Sequence, residues 1–70
     1  MSAKGLDEAG RNYIAGLVER GNSGDYVRDA VTHRVRSNDW DYHKNLRFLD
    51  WLRSKGYDRT AELLARYMDG

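Results

Sequence analysis

The residues best suited to metal or acid–base chemistry lie in the run of residues 39–43. On a β-strand, alternation would place Asp39, Asp41 and His43 on one face, as carboxylate and imidazole ligands require. At the start of a helix, the two carboxylates would instead serve the N-cap and the helix dipole. Hard cations also prefer more oxygen ligands than this run supplies. We therefore expect no metal site and no cofactor.

His33 follows Asp29 by one helical turn, which is the spacing of a base and the carboxylate that orients it. The same spacing is typical of a solvated pair on a helix surface, and we prefer that interpretation. No Ser stands in a nucleophile setting, and residues 22–24 form a turn without the Lys of a phosphate-binding loop. We expect that the protein is not an enzyme.

Basic residues recur between residues 28 and 47 and could form a phosphate-binding stripe. Acidic residues interleave with them, which is typical of a mixed, solvated surface. The net charge of +1 and the pI of about 8.1 also fall short of the basic balance of most nucleic-acid-binding domains. The candidate nucleic-acid contacts are Arg28, Arg34 and Arg36, with His33, Lys44 and Arg47 as further members of the stripe.

Aromatic residues supply the chemistry of a protein interface. Trp and other aromatics are enriched in the buried centres of such interfaces. A small helical core could instead absorb the rings, because it needs their volume. We favour the interface interpretation, with a second copy of the chain as the first candidate partner. The predicted interface residues are Trp40, Phe48, Trp51, Leu52 and Tyr57.

The chain is short for an independently folded domain. Its 70 residues fit one domain and contain no Cys and no Pro. One core of this size rarely leaves more than about 3–5 kcal/mol of net stability, so self-association is the remaining support. No apolar run approaches a membrane span, and the N-terminus lacks the apolar stretch of a signal peptide. We expect a cytoplasmic protein of bacterial or phage origin, without membrane association.

Helices must position these side chains, because apolar residues recur at helical spacing and no segment alternates over five or more residues. Glycines at 21, 24 and 56 and the polar run 36–39 separate four segments. We expect an all-α bundle of about four short helices, dimeric, with residues 1–5 as a flexible N-terminus. The run 36–39 leaves open whether the second and third helices are continuous. The predicted helices span residues 6–20, 24–36, 40–55 and 59–68.

The third helix carries more apolar surface than a monomeric core requires. Its apolar arc is about 240° wide, whereas a helix on a globular core needs a little over 100°. We expect one side to pack inside the monomer and the other to be covered by a partner. The first side comprises Tyr42, Leu46, Leu49 and Leu52, and the second comprises Trp40, Phe48 and Trp51.

Local signals predict further details of the helices. Gly10 lies on the apolar stripe of the first helix, which predicts close approach by another helix. Arg34 lies within the apolar stripe of the second helix, so it must extend past the edge or pair with an acid. The predicted N-caps are Ser23, Asn38 or Asp39, and Asp58.

The first helix ends in Leu-Val-Glu-x-Gly at residues 17–21, and a Ser follows at 23. Residues 25–30 have the spacing acid-apolar-Val-Arg-acid-Ala. In these features the chain resembles ribbon–helix–helix proteins. That family includes bacterial antitoxins of the ParD and CopG type, and the resemblance covers residues 13–31. It implies a dimer whose N-terminal strand reads the DNA major groove and whose tail holds a toxin. Residues 1–5 are too short and too poor in β-branched residues for that strand. The helix pair would then serve dimerisation without operator recognition.

The spacing Trp-Leu-x-x-x-Gly-Tyr-x-x-Thr-Ala over residues 51–61 is similar to a LisH motif, a helix–turn–helix hairpin that dimerises. The resemblance covers residues 46–64. It implies that Gly56 adopts a positive φ and that Tyr57 packs between the two helices.

Together these features predict a small non-enzymatic regulatory protein that dimerises, binds a partner protein and inhibits or sequesters it. An antitoxin or a phage- or plasmid-encoded inhibitor would act in this way. The expected mechanism is occlusion, in which a preformed face of aromatic residues and leucines docks on the partner. The alternative is a dimeric DNA-binding transcriptional repressor that uses Arg28, Arg34 and Arg36.

Overall fold

Four α-helices account for most of the chain in the computed structural model, which describes residues 2–70. The all-α prediction is confirmed, and within this range there is no strand. Residues 35–41 are not helical, so the second and third helices are separate elements. The helices are α1 (Glu8–Glu19), α2 (Gly24–Arg34), α3 (Tyr42–Ser54) and α4 (Asp58–Asp69).

The ends of α1 and α2 follow from short polar residues and glycine. The Asp7 carboxylate caps α1 by accepting a hydrogen bond from the Gly10 N–H at 2.8 Å. The Ser23 hydroxyl caps α2 by accepting from the Tyr26 N–H at 3.2 Å, as predicted. Gly21 follows α1 with a φ of 78°, a left-handed conformation that glycine adopts without steric penalty.

The caps of α3 and α4 differ from the prediction. Asp41, and neither Asn38 nor Asp39, caps α3, because its carboxylate accepts from the Lys44 N–H at 2.8 Å. Asp39 instead occupies a left-handed turn with a φ of 62°. Asp58 is the first residue of α4 rather than its cap, and the capping position is held by Tyr57 without a side-chain hydrogen bond.

The core lies where α4 packs against both α2 and α3, while α1 packs against α2. α4 contributes Ala61, Leu64 and Met68 to this core. Half-buried side chains, Leu63 and Trp51 among them, surround this core. The buried apolar residues are Leu6, Ile14, Leu17, Val18, Val27, Val31, Leu49, Leu52, Ala61, Leu64 and Met68.

The segment before α1 joins three parts of the bundle. Gly5 exchanges two main-chain hydrogen bonds with Arg36, at 2.9 and 2.8 Å, and the Lys4 N–H donates to the Tyr67 carbonyl at 2.8 Å. Sequence reasoning expected residues 1–5 to be flexible. Met1 lies outside the described residues, whereas Lys4 and Gly5 are held by these bonds.

Asn45 of α3 fixes the next residue of that segment. Its side-chain oxygen accepts from the Leu6 N–H at 2.9 Å, and its amide group donates to the Leu6 carbonyl at 2.9 Å and the Asp41 carbonyl at 2.8 Å. Asn45 and Leu6 are both fully buried. The Leu6 main chain therefore finds partners inside the protein that water would otherwise provide.

Two glycines permit close packing near the same segment. A Cβ on Gly5 would clash with the Trp40 ring, so only glycine lets that ring approach the main chain this closely. A Cβ on Gly10 would lie 3.3 Å from the Leu6 side chain and 3.1 Å from the Asp7 carboxylate. The prediction that Gly10 admits another helix is wrong, because the close neighbour is the chain's own N-terminal segment.

Candidate functional site

The buried face of α3 consists of Asn45, Leu49 and Leu52. Leu52 has no exposed surface and belongs to the core. As placed in this structure, it offers no surface to a partner, although sequence reasoning counted it among the interface residues.

Phe48 and Trp51 lie on one side of that buried face. Their rings stack with centroids 5.4 Å apart and an interplanar angle of 21°. Both side chains are half-buried, with part of each ring packed against the core and part open to solvent. The stack fixes the two rings relative to each other, which makes a preformed apolar contact surface.

Cationic side chains border this stacked pair at intervals of one helical turn. Lys44 precedes Phe48 by four residues, Arg47 precedes Trp51 by four, and Lys55 follows Trp51 by four. The Lys55 ammonium lies 5.8 Å from the centre of the Trp51 ring, within cation–π range. Within residues 2–70, none of the three cations forms an ion pair. We call these five residues the aromatic–basic strip.

The opposite side of α3 carries Tyr42 and Leu46. These side chains are 50% and 37% exposed, although the sequence pattern assigned them to the packed face. That assignment is wrong because Asn45 takes a core position to bond Leu6, which turns α3 about its axis and moves Tyr42 and Leu46 outward. We call this pair the Tyr42–Leu46 flank.

Trp40 precedes α3 and is not part of either side. Its ring lies against Gly5 and is tilted by 49° to the Tyr42 ring, with centroids 6.4 Å apart. The predicted helical position for Trp40 is therefore wrong, because α3 begins only after the Asp41 cap. The indole closes the junction between the N-terminal segment and α3 and is half-buried there.

Tyr57 occupies the corner between α3 and α4. Its hydroxyl donates to the Asn22 carbonyl at 2.6 Å, which ties this corner to the turn between α1 and α2. The positive φ predicted for Gly56 is confirmed at 86°, and the Tyr57 ring packs against the core. The hydroxyl is consequently engaged within the monomer.

The three candidate nucleic-acid contacts each have an intramolecular partner. Arg28 forms an ion pair with Asp25 one turn earlier on α2. The Arg36 guanidinium lies 3.6 Å from the Asp7 carboxylate. The Arg34 guanidinium lies 3.9 Å from the centre of the Tyr13 ring. Arg34 is exposed, so it extends past the edge of the apolar stripe, which was one of the two expected alternatives, and there it lies over an aromatic ring.

These arginines also face different parts of the surface. Arg34 and Arg36 line one cavity together with His33. Arg28 lines another cavity, beside the corner that contains Gly56. A single nucleic-acid surface containing all three arginines is not formed within the monomer.

The carboxylate and imidazole groups of residues 39–43 do not converge. Within residues 2–70, no cluster of three or more His, Asp or Glu side chains could hold a metal ion. The hydrogen bond from the Lys44 N–H lowers the pKa of the Asp41 carboxyl, and the nearby Lys44 ammonium adds to this effect. The His33 Nδ1 atom lies 2.8 Å from the Asp29 carbonyl oxygen on an exposed face, as expected for a solvated pair.

Comparisons with known proteins gave no match to a family model, to a curated protein or to a solved structure. Among residues 2–70, none of the helices combines the length and apolarity needed to cross a membrane. The site is thus defined by its own geometry. Sequence reasoning located Phe48 and Trp51 but assigned Lys44 and Arg47 to a separate basic stripe and missed Lys55. The four-residue spacing between cations and rings was an available signal.

Proposed function

We propose that this chain is a small, non-enzymatic regulatory protein that self-associates and binds a partner protein through α3, inhibiting or sequestering that partner. The observation that carries the proposal is the apolar surface of α3 left uncovered by the bundle. Both sides of its buried face bear apolar or aromatic side chains that reach solvent. Such surface is typical of protein interaction sites.

The aromatic–basic strip is suited to an acidic partner. Its stacked rings offer apolar contact area, while Lys44, Arg47 and Lys55 are available to pair with carboxylates. Complementary charge raises the association rate and selects among partners, and buried aromatics supply much of the affinity. The partner would be inhibited by occlusion, because α3 would cover part of its surface.

The Tyr42–Leu46 flank is better suited to self-association. Two copies meeting through the strip would bring the same three cations together, and like charges at an interface are unfavourable. The flank brings no such charge cluster, since the neighbouring Arg53 forms an ion pair with Asp50. A dimer formed through the flank would leave one strip free on each copy.

The antitoxin-like form of this proposal is supported by the resemblance of residues 13–31 to ribbon–helix–helix proteins. A cytoplasmic setting, expected from the sequence, belongs to the same proposal. DNA binding by a repressor is the less favoured function, because Arg28, Arg34 and Arg36 are engaged within the monomer and divided between two surfaces.

The partner-binding surface can be tested with charge reversals that leave the core intact. Lys44→Glu combined with Arg47→Glu should abolish recovery of the partner that the tagged wild-type chain captures from cells of its source. Arg20→Glu combined with Arg66→Glu makes the same charge change outside the strip and should retain the partner. Equal recovery by both double variants would contradict the proposal.

The flank can be tested by the mass of the particle in solution. Leu46→Glu should shift the mass measured by light scattering from dimer to monomer, whereas Tyr26→Glu, at an exposed aromatic on α2, should not. A monomeric wild-type chain would rule out self-association.

Steep, salt-sensitive binding of labelled DNA would instead favour the repressor function.

A further inference from the structure

Two helix N-termini open onto one cavity on the side of the molecule that bears the α3–α4 corner. The cavity has a volume of about 260 Å³ and is lined by Gly24, where α2 begins, and by residues 56–60, where α4 begins. Helix N-termini present unpaired N–H groups and a partial positive charge. Their convergence creates a local preference for an anion.

The N-terminus of α4 has no cap of its own. Tyr57 holds the capping position with a φ of −98° and a ψ of 55°, and its side chain does not bond the first turn. The first main-chain bond of the helix runs from the Ala61 N–H to the Tyr57 carbonyl. The N–H groups of residues 58–60 therefore remain available to an external acceptor.

Thr60 supplies a second, independent observation. It lines the same cavity and is only 1% exposed, yet its hydroxyl has no hydrogen-bond partner. Within residues 2–70, this is the only buried side-chain polar atom left unpaired. A buried hydroxyl without a partner is destabilising, which suggests that a ligand completes its hydrogen bonding.

The lining of the cavity contains guanidinium groups and leaves open space. Arg28 and Arg59 both line it. Gly56 presents no side chain, and a Cβ on it would meet no atom within 4 Å. Asp58 is the acidic member of the lining and Asp25 pairs with Arg28, so the formal side-chain charges cancel and the preference for an anion comes from the helix N-termini.

We propose that this cavity binds a phosphate-type oxyanion, either free phosphate or the phosphate group of a small molecule. N–H groups at the start of α4, the Thr60 hydroxyl and the Arg59 guanidinium offer several hydrogen-bond donors. A tetrahedral oxyanion accepts from several directions at once, and guanidinium groups match its geometry. The site is distinct from both surfaces of α3, so phosphate binding is tested independently of the proposed function.

The direct test is a titration with inorganic phosphate, followed by amide NMR at constant ionic strength, with chloride as the balancing anion. We expect saturable shifts concentrated at the amides of residues 58–60 and at Gly24. Chloride alone should leave these amides unchanged. Absence of saturation, or shifts spread evenly over the surface, would overturn the proposal. Repeating the titration with a phosphate monoester distinguishes the two sources, since tighter binding of the ester indicates a small-molecule ligand.

Variants separate ligand binding from folding. Thr60→Val should weaken phosphate binding about tenfold, because one hydrogen bond to a charged ligand is lost. Thr32→Val, at an exposed threonine on α2, should leave the dissociation constant unchanged. Arg59→Gln should also weaken binding, and Asp58→Asn should tighten it by removing the opposing charge. If Thr60→Val and Arg59→Gln both bind phosphate as the wild type does, the cavity is not the site.

Discussion

Among residues 2–70, Asn45 and Thr60 are the two buried polar side chains, and their hydrogen bonding differs completely. Asn45 makes three hydrogen bonds, two to the Leu6 main chain and one to the Asp41 carbonyl. The Thr60 hydroxyl makes none. The Asn45 side chain is hydrogen-bonded within the fold, whereas the Thr60 hydroxyl is buried without a partner.

The contrast distinguishes a structural role from a ligand-binding one. Asn45 sets the rotation of α3, and thereby places the aromatic–basic strip on one side and the Tyr42–Leu46 flank on the other. Removing a partner from a satisfied pair leaves another group unpaired, which is destabilising. Removing a buried polar group that is already unpaired should instead raise the free energy of unfolding. The two positions should therefore respond to mutation in opposite directions.

The largest effect is expected for Asn45→Leu, which nearly conserves volume while deleting the bonds to Leu6. The Leu6 N–H and carbonyl would be left buried without partners, so stability should fall by about 2–4 kcal/mol. That loss approaches the roughly 3–5 kcal/mol available to a domain of this size. Urea unfolding followed by circular dichroism would measure it.

The matched control is Asn12→Leu, at an exposed position on α1, which should change stability by less than about 0.5 kcal/mol. A loss below about 1 kcal/mol for Asn45→Leu would mean that water satisfies the Leu6 main chain. Asn45 would then not fix the orientation of α3, which would contradict its structural role.

A smaller effect of opposite sign is expected for Thr60→Val. Replacing the unpaired hydroxyl with a methyl group of similar size should raise stability by about 1 kcal/mol in phosphate-free buffer. Thr32→Val provides the contrast, because the Thr32 hydroxyl donates to the Arg28 carbonyl at 3.2 Å and should give no gain. Thermal unfolding of both variants would show the difference. Equal destabilisation would show that the Thr60 hydroxyl contributes to the native fold.

The number of the helices and their approximate positions could be predicted because these signals are local. Glycines after α1 and α3, the Ser23 cap and the apolar spacing of α4 each act within a few residues. The same local spacing placed Phe48 and Trp51 together on α3, where the structure stacks them.

The rotation of α3 could not be predicted because its cause is a long-range hydrogen bond. Asn45 and Leu6 are 39 residues apart, and a hydrophobic pattern counts Asn as a surface residue. Because Asn45 was counted as polar, the pattern assigned Tyr42 and Leu46 to the buried face. The Arg34–Tyr13 contact could not be predicted for the same reason, because it joins two helices that no local pattern relates.

The smallest effect at neutral pH is expected for Asp41→Asn. The Asp41 carboxylate caps α3, whereas its main-chain carbonyl accepts a hydrogen bond from Asn45. Asn and Asp cap helices about equally well, so neutral-pH stability should hardly change. The native pKa of Asp41 lies below its ordinary value, so its carboxylate stabilises the fold above the unfolded pKa, and this contribution disappears as the pH falls through the native pKa. Urea midpoints measured below about pH 5 should therefore fall less steeply for the variant than for the wild type. Asp41→Ser, a capping residue without charge, should show the same flattening. If both variants keep the wild-type pH dependence, the charge of the Asp41 carboxylate does not contribute to stability and the cap acts through its hydrogen bond alone.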